Sequence, residues 1–212
     1  MTFHKEILRD AQPEALRLLG RPVTERGFYL AGGTALALHL GHRRSVDFDW
    51  FTERFLPDPI LLAQQLRDED VPFETDSTER GTLHGTVAGV RVTFLEYRYP
   101  LLEPAVFSPD PGCLLAGLLD IACMKLSALA QRGSRKDFID ICALARNGLT
   151  LEAVLDQYRR KYAVEDIAHV LYGLAYFDDA EREEDPYLVW DLNWKDVKKT
   201  IRKWLREFSV SA

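Results

Sequence analysis

The segment from residue 28 to residue 51 reads FYLAGGTALALHLGHRRSVDFDWF, and its pattern decides the predicted fold. A short apolar run ends at the pair Gly32-Gly33, and an apolar stretch of helical character follows. After a polar loop, Asp47 and Asp49 alternate with the apolar Val46, Phe48 and Trp50 over residues 46–51, at the period of a half-buried strand. The segment therefore predicts a strand, a tight glycine turn, a helix and a second strand whose two aspartates share one face.

This arrangement suits phosphoryl transfer, which needs backbone close to phosphates and carboxylates that hold Mg²⁺. Gly32 and Gly33 have no side chains, so the turn can lie against a triphosphate at the positive end of a helix, with the Thr34 hydroxyl as a further donor. Asp47 and Asp49 can share a pair of metal ions. Each motif alone is also typical of an ordinary turn or an edge strand; the combination favours a nucleotide site.

The other predicted elements divide the chain near residue 108. Before that point the pattern predicts helices and strands at residues 5–19 (ended by Gly20 and Pro22), 57–66, 73–75, 82–87 and 90–95. After it, long helical periods predict helices at residues 114–132, 134–146, 151–162, 165–177 and 194–208. The last helix has an apolar stripe that we interpret as core rather than as a base-stacking platform: Trp194, Val197, Ile201, Trp204, Leu205 and Phe208. We therefore predict an α+β domain over residues 1–108, followed by a helical domain over residues 109–212.

The composition is that of a globular protein. The chain has 212 residues and a net charge of -6, which weakens any picture of non-specific binding to nucleic acid through a basic surface. No apolar run of about eighteen residues and no signal peptide is visible, so we predict a cytoplasmic protein with no membrane contact. Three widely spaced cysteines predict buried free thiols.

The sequence of these motifs resembles that of the DNA polymerase beta-like nucleotidyltransferase superfamily, in which a glycine pair precedes an Asp-x-Asp pair. The runs YLAGGTALAL (29–38), GHR (41–43) and SVDFD (45–49) resemble the AbiEii/AbiGii toxin branch in particular. A later segment, KLSAL (125–129) followed by Arg132, Arg135, KDF (136–138) and Asp140, is similar to the same branch. The resemblance covers about half of the chain and implies a nucleotidyltransferase core followed by a helical domain.

The resemblance implies transfer of a nucleoside monophosphate from an NTP to an acceptor hydroxyl, with release of pyrophosphate. Asp47 and Asp49 would hold Mg²⁺ or Mn²⁺, Lys125 would meet the charge on the triphosphate, and Asp137 would act as base or orienter. Members of this branch act as toxins of bacterial toxin-antitoxin or phage-defence systems, some of them on the 3′ end of tRNA. A cognate antitoxin is therefore an expected partner.

Several of these residues have a structural interpretation beside the functional one. Lys125 could be a solvated helix lysine, and Asp137 could cap a helix through Ser134-x-x-Asp137. Arg43 could contact phosphate or anchor its loop, and Ser45 is a further candidate for the triphosphate site.

The third carboxylate of many polymerase beta-like enzymes has no clear counterpart. On the predicted strand at residues 90–95, Glu96 falls on the same side as the apolar residues, so it is a poor ligand unless a bulge changes the phase. Either Thr93 takes the place of the acid, or the base comes from elsewhere, with Asp137 as a candidate. Two alternatives therefore stay open: a nucleotidyltransferase acting on a small molecule or a protein, and a nucleotide-binding pseudoenzyme.

Overall fold

The computed structural model describes residues 3–110 and 112–211, and the chain divides into two compact units. The first unit comprises residues 1–39 and 45–117, and the second comprises residues 40–44 and 118–212. The predicted boundary lay near residue 108. None of the helices in the described ranges is both long and apolar enough to cross a bilayer.

A mixed sheet of seven strands forms the first unit. The strands are β1 (Tyr29–Ala31), β2 (Phe48–Thr52), β3 (Phe73–Glu79), β4 (Thr82–Val87), β5 (Val90–Glu96), β6 (Val106–Ser108) and β7 (Cys113–Leu115). Their order across the sheet is β3-β4-β5-β2-β1-β7-β6. β2 runs parallel to β5, and β1 runs parallel to β7, whereas the other neighbours are antiparallel. The central pair β1 and β2 carries the glycine turn and the aspartates.

Strands β6 and β7 were not predicted. Each has three residues, too few to show alternation, and the apolar Leu114 and Leu115 fit a helix pattern equally well. Leu115 instead pairs with Leu30 of β1, and the amide of Ala116 donates to the Leu30 carbonyl at 2.9 Å. The helix predicted from residue 114 therefore begins only at Leu118.

Three helices accompany the sheet: α1 (Gln12–Glu25), α2 (Gly32–Leu40) and α3 (Pro59–Asp68). The prediction of a helix from residue 5 to residue 19 was wrong at both ends. Residues 5–7 form a separate 3₁₀ turn. Asp10 has a φ of 52°, which is not a helical conformation, so α1 begins only after it. Pro22 lies in the last turn of α1, where its missing N–H removes one helix bond without ending the helix.

The core of the first unit lies on one face of its central strands. Phe48, Trp50 and Phe94 are fully buried on β2 and β5, and their parity matches the predicted alternation. Phe28 packs edge-on against Phe94, with ring centroids 5.2 Å apart. The intervening residues of these strands, including Asp49, therefore face the opposite side of the sheet.

The second unit is a bundle of five α-helices and a short 3₁₀ turn at residues 180–182. The helices are α4 (Leu118–Arg132), α5 (Arg135–Arg146), α6 (Leu151–Tyr162), α7 (Ala168–Ala175) and α8 (Trp194–Ser211). All five were predicted, with bounds that differ by a few residues. The buried Phe138 of α5 lies 4.8 Å from Phe177 and 5.7 Å from Trp194, measured between ring centroids. The apolar stripe of α8 is core, as predicted, with Val197, Ile201 and Trp204 buried.

The three cysteines are free and buried, as predicted. Burial raises the pKa of the Cys113 and Cys123 thiols to about 12. They pack as small apolar side chains and have little thiolate character at neutral pH.

Candidate active site

The glycine turn and the second aspartate are in direct contact. Gly32 begins α2 with a φ of +66°, a conformation that L side chains rarely adopt. A Cβ atom placed on Gly32 would stand 2.7 Å from Oδ2 of Asp49. Glycine at this position therefore provides both the backbone conformation and the space that the Asp49 carboxylate occupies.

The first aspartate, Asp47, lies immediately before β2, whereas the predicted strand over residues 46–51 included it. Its side chain is 37% exposed, and both carboxylate oxygens accept bonds from the guanidinium of Arg91, at 2.9 and 3.2 Å. The strand was predicted to begin at Val46 with that side chain inward, but Val46 is 65% exposed. The backbone carbonyls of Ser45 and Asp47 accept bonds from the side chains of Gln12 and Thr34, which bind this segment in place of ladder bonds.

The two aspartates nevertheless lie on the same side of the sheet. Asp49 of β2 pairs in register with Thr93 of β5, so their side chains point in the same direction. Arg91 shares that face of β5 because it lies two residues before Thr93, and Arg91 binds Asp47. The predicted juxtaposition of two carboxylates at a glycine turn is therefore present in the structure.

Thr34 connects the first turn of α2 to the segment that carries Asp47. The residue is 1% exposed, and its hydroxyl donates to the backbone carbonyl of Asp47 at 2.5 Å. A hydroxyl has one proton to donate, and in this structure the Asp47 carbonyl accepts it. The predicted bond from Thr34 to a triphosphate stays a prediction.

Two other predicted triphosphate ligands lie in the same region. Gly33 follows Gly32 in the first turn of α2 and is partly exposed. Ser45 is also partly exposed, and its carbonyl accepts a bond of 2.8 Å from the side-chain amide of Gln12. Both residues belong to the first unit.

The position of the expected third acid is filled by a hydroxyl. Thr93 is the residue of β5 that stands beside Asp49. Glu96 pairs with Thr52, and its carboxylate accepts bonds from the amide of Leu56 at 2.9 Å and from Arg98. No bulge interrupts the pairing of β2 with β5 over the five residues from Phe48 to Thr52. Glu96 is therefore held away from Asp49, as its parity in the sequence indicates.

The other predicted residues belong to a buried ionic network in the second unit. Asp140 is 0% exposed and binds the guanidinium of Arg43 through both oxygens, at 2.6 and 2.8 Å. Lys125 Nζ lies 2.6 Å from the same carboxylate, and His42 Nε2 lies 2.8 Å from it. Burial opposes the ionisation of Asp140, but the charges of Arg43 and Lys125 outweigh it and hold the pKa well below its usual value.

Asp137 completes this network. Its carboxylate accepts bonds from Lys125 at 3.1 Å, from Arg132 at 2.7 and 2.9 Å, and from the Ser134 hydroxyl at 2.6 Å. Burial opposes ionisation, but the bonds from Arg132 and the charge of Lys125 lower the pKa below its usual value. The Ser134 side chain makes no capping bond to the helix backbone, and its hydroxyl donates to Asp137.

The contacts in this network bear on the alternative roles predicted for Arg43, Lys125 and Asp137. Arg43 is 4% exposed and donates both to Asp140 and to the carbonyl of Arg44, contacts that fit the predicted anchoring of its loop. An Asp137 carboxylate with four donors and a lowered pKa is a poor proton acceptor, so its geometry suits an orienter rather than a base. Lys125 is buried rather than solvated. Nothing in the sequence pattern indicated the contact of His42 with Asp140, since 98 residues separate them.

The two carboxylates of the first unit fit a magnesium site of a particular kind. In the described part of the chain, no group of three or more His, Cys, Asp or Glu side chains could hold a metal ion. Mg²⁺ is commonly held by one or two carboxylates together with phosphate oxygens of the substrate and water. Asp47 and Asp49 beside an open glycine turn match that donor set, whereas a metal held by protein ligands alone does not fit.

Solved structures of similar fold include a nucleotidyltransferase toxin. MenT4, a nucleotidyltransferase toxin of Mycobacterium tuberculosis H37Rv, matches with a TM-score of 0.59 and 15% identity, covering 94% of this chain and 82% of that one. JHP933 of Helicobacter pylori matches with a TM-score of 0.55 and 16% identity, covering 99% and 97% of the two chains. The fold is therefore that of a nucleotidyltransferase, as predicted.

The family follows from the sequence itself. Residues 85–207 match the model of the nucleotidyl transferase AbiEii toxin family, described as a type IV toxin-antitoxin system. An uncharacterized protein of Aquifex aeolicus (strain VF5) is 38% identical over 207 residues, 95% of this chain and 97% of that protein. This chain belongs to the AbiEii nucleotidyltransferase toxin family, and its enzymatic class is nucleotidyltransferase. The matched range includes Lys125 and Asp137 but begins after Asp49.

Proposed function

We propose that this protein transfers a nucleoside monophosphate from an NTP to an acceptor hydroxyl, with Asp47 and Asp49 binding the divalent cations. The observation that carries the proposal is the contact of Asp49 with Gly32, where a Cβ would stand 2.7 Å from the carboxylate. The turn at Gly32 leaves room for the Asp49 carboxylate, which therefore lies beside the backbone at the N-terminus of α2. That is the environment a metal-bound triphosphate requires.

Each residue of the first unit has a part in this scheme. Gly32 and Gly33 give the phosphates access to backbone amides, and Thr34 holds the segment that presents Asp47. Arg91 neutralises Asp47 in the free protein and is 73% exposed, so it is able to release the carboxylate to a cation. When bound, Mg²⁺ or Mn²⁺ would neutralise phosphate charge.

Lys125 and Asp137 stay predicted catalytic residues on the strength of the family resemblance. Their buried ion pairs also support a structural part in the second unit, and one variant separates the two roles. Lys125→Met keeps most of the side-chain volume and removes the charge. Because Lys125 pairs with the buried Asp137 and Asp140, we expect the Tm to fall in either case. Transfer is therefore measured at a temperature at which the variant is folded. A catalytic lysine predicts lost transfer there, and a purely structural one predicts transfer equal to that of the parent.

The acceptor we propose is the 3′ end of tRNA, and the biological role is that of a cytoplasmic toxin restrained by a cognate antitoxin. Membership of the AbiEii toxin family supports the toxin and antitoxin part of the proposal. A hydroxyl on a small molecule or on a protein is the competing acceptor, because the carboxylate and glycine site would serve any of them.

The test is incubation with each α-³²P-labelled NTP and Mg²⁺, in separate reactions with total tRNA, with cell protein and with a small-molecule extract. Label in the tRNA supports the proposed acceptor. Label in the protein or small-molecule fraction instead would show that the acceptor is a different molecule. Thermal shift with the same NTPs detects binding without transfer, since a ligand of the folded state raises Tm. Binding without label in any fraction would identify a pseudoenzyme and contradict the proposed transfer.

The matched variants are Asp47→Asn, Asp49→Asn and the control Asp68→Asn. Asp68 is an exposed carboxylate at the end of α3. We expect each of the first two changes to abolish labelling and the third to leave it unchanged. Full labelling by both Asp47→Asn and Asp49→Asn would show that the metal site lies elsewhere.

A further inference from the structure

A row of three polar side chains crosses the sheet from the candidate metal site. The register pairs Asp49 of β2 with Thr93 of β5, and Thr93 in turn with His84 of β4. Residues paired in register point to the same face of a sheet, and neighbouring strands lie about 4.8 Å apart. The three side chains therefore form a continuous line that begins at the carboxylate beside Gly32.

The last two members of the row are hydrogen-bonded. His84 Nδ1 lies 3.3 Å from the Thr93 hydroxyl oxygen. Both side chains are partly exposed, which distinguishes them from the buried residues on the opposite face of the same strands. A hydroxyl that donates to an imidazole nitrogen can pass a proton on to it, because the hydroxyl oxygen can accept a second proton as it releases its own.

The pair of Thr93 and His84 could serve as the proton acceptor that the third carboxylate provides in many polymerase beta-like enzymes. Thr93 occupies the place beside Asp49 where a carboxylate would accept the proton of the attacking hydroxyl. A threonine hydroxyl is too weak a base to do so alone, but imidazole is the side chain best suited to accept a proton near neutral pH. The alternative candidate, Asp137, is an ion-paired anion with four donors.

Charged groups also lie on the face of the sheet that carries His84. By register and parity, Asp49 of β2, Glu74 and Glu79 of β3 and Arg91 of β5 share this face. Asp47, which lies immediately before β2, binds Arg91. Asp76 also approaches this face through a bond of 3.4 Å from the Thr86 hydroxyl.

We propose that Thr93 and His84 together form the general base of the nucleotidyl transfer, an inference that rests on the proposed function. The acceptor O–H bond breaks as its proton moves to the Thr93 oxygen, and the proton of Thr93 moves to His84 Nδ1. The acceptor oxygen forms a bond to the α-phosphorus. The bond from the α-phosphorus to the oxygen that bridges it to the β-phosphate breaks, and its electron pair leaves with pyrophosphate.

Three variants test the relay: His84→Ala, Thr93→Val and the control His169→Gln. His169 is an exposed histidine of α7 whose ring contacts Tyr158. General-base catalysis contributes about 10²–10⁴-fold, so we expect losses of that size in kcat for the first two variants and none for the control. Added imidazole restores part of the activity of His84→Ala and none of that of Thr93→Val. We expect the acid limb of the pH profile of kcat in the parent to be lost in His84→Ala.

The failure of the relay and the failure of the proposed function give different results. If Asp47→Asn abolishes transfer while His84→Ala keeps full activity and the acid limb, the relay is overturned and the function stands. A second readout needs no turnover: NMR of the imidazole resonances, with His84 assigned by comparison with His84→Ala. Mg²⁺ and a non-hydrolysable NTP shift the His84 signals if the row borders the nucleotide, and unchanged signals in a nucleotide-bound protein overturn the relay.

Discussion

The Asp49 carboxylate occupies the space in which a side chain on Gly32 would begin. The distance from Oδ2 to the position of that Cβ is 2.7 Å, below any normal contact, and the φ of Gly32 is +66°. The glycine turn and the aspartate strand are therefore one structural unit rather than two neighbouring motifs. This relationship explains why the pair of motifs predicts more than each does alone.

Gly32→Ala should consequently abolish nucleotide binding. The positive φ costs about 1–2 kcal/mol for an alanine, and the new Cβ also displaces the Asp49 carboxylate. The matched control is Gly89→Ala, which has a φ of +80° but no heavy atom within 4 Å of the new Cβ. We expect similar backbone strain in both variants but a lost Mg²⁺-NTP thermal shift only in Gly32→Ala. A full shift in Gly32→Ala would contradict the proposed geometry.

Asp140→Asn should destabilise the second unit strongly. It leaves the cations of Arg43 and Lys125, which are 4% and 5% exposed, without their shared counter-ion. Removing one partner of a buried ion pair costs about 3–5 kcal/mol. The free energy of unfolding in urea measures the loss.

The control for that measurement is Asp156→Asn on α6. Its side chain is 64% exposed and lies 3.3 Å from Arg159, so its removal should cost less than about 1 kcal/mol. Equal losses for the two variants would show that the buried network contributes no more than a surface pair.

Acid should lower the stability in two stages. Burial lowers the pKa of His39 and His42, although bonds to Ala116 and Asp140 oppose the shift. A histidine with a lowered pKa binds fewer protons when folded, so stability falls as the pH drops below the unfolded value of about 6.5. Urea titrations at pH 7.5 and 5.5 measure this first stage. Equal stability at the two pH values would contradict the burial of neutral histidines.

The second stage belongs to Asp137 and Asp140. Their pKa values are lowered, because cationic donors outweigh the cost of burial. Their stabilisation is complete above the unfolded aspartate value of about 3.9 and is lost as the pH falls through the folded values. The parent should therefore lose further stability below about pH 4, whereas Asp140→Asn should show a smaller acid dependence in that range.

Arg91→Met should tighten the binding of Mn²⁺ in the absence of nucleotide. Arg91 competes with any cation for the carboxylate of Asp47, which it binds at 2.9 and 3.2 Å. The ion pair is largely exposed, so its loss should change the free energy of unfolding by less than about 1 kcal/mol. Electron paramagnetic resonance of free Mn²⁺ measures the affinity, and weaker binding in Arg91→Met would show that Asp47 is not a ligand.

The sequence predicted the parts of the molecule that follow from short-range patterns. Alternation around Trp50 fixed the buried face of β2, and helical spacing identified the core stripe of α8. The parity of Glu96 indicated that it points away from the aspartates. These features depend only on neighbours along the chain.

Long-range contacts explain what the sequence did not predict. Strand β7 forms because Leu115 pairs with Leu30, 85 positions earlier, and such a pairing leaves no local pattern. The ion pair of Arg43 with Asp140 is another case, because the two residues are 97 positions apart in the sequence. The row from Asp49 to His84 depends on the order of three strands, which the sequence pattern alone does not specify.

Calorimetric titration with Mn²⁺ and an α,β-methylene NTP, which binds without being cleaved, measures whether Asp47 and Asp49 hold the metal. The parent and Asp68→Asn should bind one nucleotide, and the Asp47→Asn, Asp49→Asn double variant should bind it at least about 100-fold more weakly, a loss of about 2.7 kcal/mol. Equal affinity in the double variant and the parent would contradict the assignment of Asp47 and Asp49 as the metal ligands.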